Sequence, residues 1–204
     1  KGLVSHDKGR TFKIIYKKLK KQGYNIFYKV INSRDYGVPQ NRERIYIVGF
    51  RNKKINFNFD LMHKKKTSLS NILDSTNRHN KSELSKIALK HVNNHLKIIK
   101  KVKKINELYP KIINEIRPSR VSFRNDDISP CLTAKMGTGG NNIPYIINYN
   151  RFMTIRECLS IQGFSKNFKI RGSKQNKYKQ IGNSVSVPLI KSIGKIIKSN
   201  LESL

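Results

Sequence analysis

An α/β chain, divided by a change of composition, is predicted from three observations. The chain opens on a helix–strand–strand order, passes through a basic segment of different composition, and closes on an amphipathic helix. Phe12, Ile15, Tyr16 and Leu19 recur at i, i+3, i+4 and i+7 between Ser5-His6-Asp7 and Gly23. That spacing predicts a helix with a polar N-cap and a glycine stop. Residues 24–31 read as a strand. After the turn-rich Asp35-Tyr36-Gly37-Val38-Pro39, the apolar run 45–50 reads as a short buried strand. These elements form one end of an α/β sheet and not a complete domain.

From residue 51 to 80 the composition shifts to Lys, Asn, Ser and Asp, and a boundary is placed at 54. Residues 82–108 read as helical, with Leu84, Ile87, Val92, Leu96, Ile99 and Val102 roughly on one face and Pro110 as the stop. Arg117, Arg120 and Arg124 then lead into Gly137-Thr138-Gly139-Gly140 and a strand-like 143–147. Glycines permit close backbone approach to a partner, and arginines suit phosphates and guanine edges. An ordinary solvated glycine loop has the same sequence. The last helix begins near Pro188 and carries Ile190, Ile193, Ile197 and Leu201. Gly182-Asn183-Ser184 precede it, where free backbone N–H groups can hold an anionic or polar ligand. Many helices start this way for stability alone.

Lys and Arg number 43 against 12 Asp and Glu, a net charge of +31. A field of that strength attracts polyanions, so nucleic acid is the expected partner. Part of the charge is compositional, because Lys, Asn and Ile crowd the whole chain. The two cysteines, Cys131 and Cys158, form no CxxC pair and have no histidine at zinc spacing. Neither a disulfide framework nor a metal site is expected, and a reducing cytoplasm fits. No apolar run approaches the ~18 residues needed to cross a bilayer. The opening Lys1-Gly2-Leu3-Val4 has no apolar leader and reads as the interior of a longer sequence.

Three short segments carry more information than composition. Gln40-Asn41-Arg42-Glu43-Arg44 stands before a strand. Met153-Thr154-Ile155-Arg156-Glu157-Cys158 continues to Ile161-Gln162-Gly163-Phe164, and Tyr178-Lys179-Gln180-Ile181-Gly182-Asn183-Ser184-Val185 precedes the final helix. In this order, with a variable basic stretch between the first two, they resemble motifs VIII, IX and X of DNA cytosine-5 methyltransferases. Lys1 to Gly9 resembles the stretch after that family's Glu-Asn-Val motif, so the resemblance covers essentially the whole chain.

The resemblance implies the C-terminal part of a doubly wound, Rossmann-like methyltransferase domain, over 1–54 and 166–204, with an inserted α+β target-recognition domain over 55–165. It implies methyl transfer from S-adenosylmethionine to C5 of a cytosine flipped out of duplex DNA, since a stacked base is unreachable. Arg44 is then the contact to cytosine O2, where a permanently charged planar guanidinium suits a developing negative oxygen. Arg42 supports the pocket or touches phosphates, and Gln40 orders the loop. Asn183, Ser184 and Gly182 lie beside the cofactor's methionine moiety, while Arg156, Glu157 and Gln162 brace the recognition domain. Sequence reading falls to residues 51–150, with Arg120, Arg124, Thr133, Lys135, Gly137, Thr138, Gly139 and Gly140 as DNA-binding candidates. Cys131 stands where the family usually has a threonine. It follows a proline, as the family nucleophile does, but Leu132 replaces the glutamine of Pro-Cys-Gln, so it is not read as the nucleophile.

No Phe-x-Gly-x-Gly, Pro-Cys-Gln or Glu-Asn-Val occurs in the sequence. An N-terminal part or subunit is therefore expected to supply the nucleophile and the acid at N3. The alternatives are a DNA-binding remnant without activity and an RNA- or ribosome-binding basic protein.

Overall fold

The computed structural model describes residues 2–74, 84–102, 107–138 and 142–203. Helix α1 (Gly2–Ser5) and a turn over His6–Gly9 lead into α2 (Arg10–Lys21). The expected cap at Ser5-His6-Asp7 is corrected. Asp7, Lys8 and Gly9 take φ of 50°, 53° and 84°, which no continuous right-handed helix permits, and Ser5 Oγ donates back to Gly2 O. Gly9 occupies the N-cap position instead.

β1 (Asn25–Asn32) pairs antiparallel with β2 (Glu43–Phe50), Val30 opposite Ile45 and Ile31 opposite Arg44. Alternation puts Phe27, Ile31, Tyr46 and Val48 on one face and Tyr28, Val30, Ile45 and Ile47 on the other. The first face joins a core with Phe57, Phe59, Leu189 and Ile193, the last two from α6 (Val187–Glu202). Across the second face lies α2, whose Phe12 and Tyr16 rings stand 4.7 and 5.8 Å from Tyr28. Helices on both faces of the strand pair give the layer order of a doubly wound α/β domain.

α3 (Lys86–Val102) packs on a sheet of order β4-β3-β5-β6, formed by β3 (Ile112–Arg117), β4 (Arg120–Arg124), β5 (Tyr145–Ile146) and β6 (Arg151–Phe152). Ala88, Val92, Ile113, Ile116, Val121 and Tyr145 form its core. The β3–β4 hairpin departs from the sequence expectation, which took Arg117 to Arg124 as a lead-in to a loop. Glu115 at φ 52° shifts the register between Asn114 and Arg117, so the apolar residues of β3 do not alternate cleanly.

α4 (Ile155–Ile161) starts in a reciprocal capping box between Thr154 and Glu157. α5 (Lys174–Asn183) is a further helix where the sequence reading saw only the approach to the last one. Its Ser173 cap accepts from Asn176 N, and Tyr178 and Ile181 face a core shared with Leu132, Met153 and Leu159. Ser184 ends α5, and α6 begins within a few residues. The Gly182 to Ser184 segment is therefore the end of a helix as well as the approach to one. No helix among the described residues is long and apolar enough to cross a membrane.

Candidate active site

The loop between β1 and β2 lies against the two other motif segments, and buried polar side chains make the joints. Gln40 is fully buried: its Nε2 donates to Gln162 Oε1 at 3.0 Å, and its Oε1 accepts from Leu132 N at 3.0 Å. Gln162 Nε2 in turn donates to Ile181 O at 3.0 Å. Gln40 thus links the segment before Thr133 to α4 and α5, with every polar atom spent inside the protein. Short bonds between Asn41 N and Ser129 O, and between Ser129 N and Pro39 O, fasten the same loop along its backbone.

Arg42 is the central staple. Nη1 donates to Leu132 O at 2.6 Å, and Nη2 donates to Ser184 O at 2.8 Å and to Gly182 O at 3.2 Å. Nη1 also lies 3.7 Å from Cys131 Sγ. Burial, and next the Arg44 charge beside it, lower the Arg42 pKa, while Cys131 works in the opposite direction. With its fork closed over carbonyls from two other segments, Arg42 fastens the loop to them, as Gln40 does.

Arg44 is less enclosed. It donates from Nη1 to Glu43 O at 2.8 Å and from Nη2 to Cys131 Sγ at 3.5 Å. These use two of the five N–H donors of a guanidinium; the rest have no protein partner among the described residues. Cys131 is half-buried between the two arginines. The other cysteine, Cys158, is fully buried in α4, where burial holds its thiol protonated by pushing its pKa well above the ordinary value.

The three candidates for the cofactor wall divide. Asn183 is exposed, and its side chain makes no hydrogen bond among the described residues. Ser184 spends its hydroxyl on Ile181 O at 2.7 Å and its N–H on the same oxygen at 3.1 Å. Gly182 presses against the chain at Thr133, where an added β-carbon would lie 2.1 Å from Thr133 C. The Val187 N–H is likewise occupied, donating to Gln162 O at 2.9 Å, so these amides are not free for a ligand. Ser184 borders a hollow lined by the apolar Leu159, Phe164, Phe168 and Ile170 together with Lys169, Arg171 and Gln180.

Among the DNA-binding candidates, Lys135 and Thr138 are exposed on the turn Ala134–Thr138, with Thr138 Oγ1 bonded to Lys135 O at 2.7 Å. Gly137 is packed: an added β-carbon would meet Gln175 O at 2.7 Å and Lys179 Cβ at 2.8 Å. Thr133 is half-buried, and Gly139 and Gly140 lie outside the described residues. Arg120 is largely exposed, 4.0 Å from Glu115, whereas Arg124 is tied to Asp126. Arg151, absent from the sequence candidates, is buried and clamps Glu157 through two bonds of 2.8 and 2.7 Å. A lone arginine six positions before a glutamate carries no signal of that pairing.

Comparison with known proteins places the chain in a family. The family model for C-5 cytosine-specific DNA methylase matches residues 1–199. The type II methyltransferase M.Bsp6I of a Bacillus species is 37% identical over 98% of this chain, which spans 64% of that relative. M.SsoII of Shigella sonnei is 38% identical over 100% of the chain and 52% of its own length. The chain thus spans roughly half to two thirds of these relatives. Among solved structures, the Dnmt2 methyltransferase of S. pombe superposes with a TM-score of 0.67 at 14% identity, covering 97% of this chain and 64% of that one. The Entamoeba histolytica methyltransferase EhMeth gives 0.62 at 24% identity, over 95% and 59%. These two support the α/β methyltransferase fold; the family match and the curated relatives carry the classification. The chain belongs to the C-5 cytosine-specific DNA methylase family.

Proposed function

We propose that this chain is the target-recognition and base-polarising portion of a cytosine-C5 methyltransferase acting on duplex DNA. Its nucleophile and N3 acid come from a preceding portion or partner subunit. The observation that carries the reading is the division of labour between neighbouring arginines. Arg42 is spent on carbonyls of two distant segments, while Arg44, two residues on, keeps donors open beside the joint. A cytosine held there presents O2 to a rigid, permanently charged donor, which stabilises the charge that develops when a thiolate adds at C6. Residues 1–54 and 166–204 belong to the catalytic side in this reading and 55–165 to recognition, although Phe57 and Phe59 pack in the core of the β1–β2 side, with exposed Arg120, Lys135 and Thr138 available to DNA.

S-adenosylmethionine, when bound, supplies an electrophilic methyl group. Exposed Asn183, and Ser184 at the hollow with Leu159 and Phe164, are the residues of this chain that would border it. A polar lip next to an apolar wall fits a ligand with both kinds of surface.

The test is a chimera in which the part of the Bacillus relative preceding the matched stretch is joined to this chain. It is expected to transfer labelled methyl groups to DNA. Arg44→Ala should lower turnover about a hundredfold, as loss of one preorganised oxyanion donor does, with DNA affinity changed less than about threefold. Equal losses in turnover and affinity would instead make Arg44 a phosphate contact. A chimera that binds DNA without transferring methyl groups would favour the DNA-binding remnant.

A further inference from the structure

The position of Cys131 between two guanidinium groups has a consequence for Arg44. We propose that Cys131 is a positioning residue whose sulfur couples Arg44 to the rigid Arg42 staple and so fixes the plane of the Arg44 fork. The inference rests on the reading of Arg44 as the base-polarising group.

Arg42 cannot move freely, because three backbone carbonyls hold it. Arg44 has one bond within its own strand, to Glu43 O. Its remaining protein hydrogen bond among the described residues is to Cys131 Sγ at 3.5 Å. Cys131 Sγ is also 3.7 Å from Arg42 Nη1 and 3.7 Å from Leu132 O. The thiol therefore donates its proton to the Leu132 carbonyl and turns its lone pairs to both guanidiniums. Two like charges repel, and an acceptor placed between them offsets that repulsion.

Sulfur suits the gap. An oxygen bonds N–H groups at about 2.7–3.2 Å, so a hydroxyl at position 131 would have to draw the arginines inward. Arg42 is fixed, so Arg44 would be the one to shift. The threonine expected here from the family resemblance would thus hold Arg44 in a different orientation, and alanine would release it.

One experimental arm uses the chain alone, held at low salt where its charge opposes self-association, and does not depend on methyl transfer. Cys131 is half-exposed and Cys158 fully buried, so one thiol reacts quickly and the second reports unfolding. Dithiobis(nitrobenzoate), a dianionic disulfide, and neutral dithiodipyridine are compared. Arg44→Ala is expected to slow the anionic reagent about fivefold relative to the neutral one, because a cation beside the sulfur is lost. An unchanged ratio, with Cys158 still silent, overturns the contact and the proposal with it.

The second arm uses the chimera. Cys131→Ala should lower kcat about tenfold with DNA Kd within about twofold, and Cys131→Ser should recover part of the loss. In the Arg44→Ala background the same change should have no further effect, since a residue acting through another is non-additive with it. Independent, additive losses overturn the proposal. Full turnover in Arg44→Ala alone would instead remove the base-polarising reading, leaving the reagent ratio to decide the contact.

Discussion

Gly182 and Gly194 lie in consecutive helices, and the atoms around them assign opposite consequences to the same substitution. An alanine at 182 would place its β-carbon 2.1 Å from Thr133 C, 2.2 Å from Thr133 O and 2.4 Å from Ala134 N. Backbone cannot swing away as a side chain does, so α5 and the 132–138 segment must separate. At Gly194, exposed on α6, nothing lies within 4 Å of an added β-carbon. Gly182→Ala is expected to cost about 3 kcal/mol through overpacking. Gly194→Ala should gain about 0.5–1 kcal/mol, because alanine loses less backbone entropy in a helix. Urea midpoints of the chimera check both, and an unshifted midpoint for Gly182→Ala would contradict the packing. The sequence motif marked Gly182 as important but not for what. A glycine that admits a ligand and one that admits a neighbouring backbone are spelled identically. Arg42 and Arg44 pose the same difficulty, since only the fold reveals which fork is spent on carbonyls.

Among the elements, α4 depends most on a single polar cluster. Glu157 Oε1 accepts from Arg151 Nη2 at 2.7 Å and Asp74 N at 3.0 Å, while Oε2 accepts from Arg151 Nη1 at 2.8 Å and Thr154 N at 2.7 Å. The side chains are 1% and 4% exposed, so the pair ties α4, β6 and residue 74 where water cannot screen it. Burial alone would raise the Glu157 pKa. The Arg151 hydrogen bonds, with the Thr154 and Asp74 amides, outweigh that and hold it below its ordinary value. A depressed folded-state pKa means the stabilisation is complete above the unfolded-state value and is lost as pH falls through the folded one. The chimera's urea midpoint should therefore decline as pH drops below the ordinary glutamate range. Glu157→Gln should flatten that decline. At neutral pH it should cost about 3–5 kcal/mol, because it leaves a buried arginine without its counter-charge. A wild-type acid limb in Glu157→Gln would show that other carboxylates set the pH response. The Thr154–Glu157 capping box is a local pattern of one helical turn, yet in the sequence Glu157 reads only as bracing the recognition domain. Helix α5 was harder to read, because Lys174–Asn183 carries only Tyr178 and Ile181 as buried large apolar residues, too few to display a helical period.

For the whole molecule, what the sequence displayed best were elements with a long apolar period, such as α2, α3 and α6, and motifs with fixed spacing. What it concealed were joints between distant segments, Gln40 to Gln162 and Arg42 to Ser184 among them, since those depend on topology and not on neighbours in the chain. The same topology leaves a liability. The strand pair β1–β2 has no third strand among the described residues, so both outer edges present backbone donors and acceptors. Around it Ile14 is 56% exposed, Tyr28 48% and Val30 40%, more apolar surface than an isolated two-stranded sheet tolerates well. A net charge of +31 opposes close approach of copies at low salt, but that repulsion is screened within about 8 Å at physiological ionic strength. The isolated chain is therefore expected to self-associate as salt rises from low to physiological levels, where a purely charge-stabilised, fully covered protein would stay monomeric. Light scattering coupled to gel filtration follows the mass. In the chimera the preceding portion should cover the edge and faces, and the mass should stay that of one copy across the same salt range. A monodisperse isolated chain with a sharp cooperative melt at physiological salt would show that the strand pair needs no cover. The complementary portion would then be required for chemistry alone.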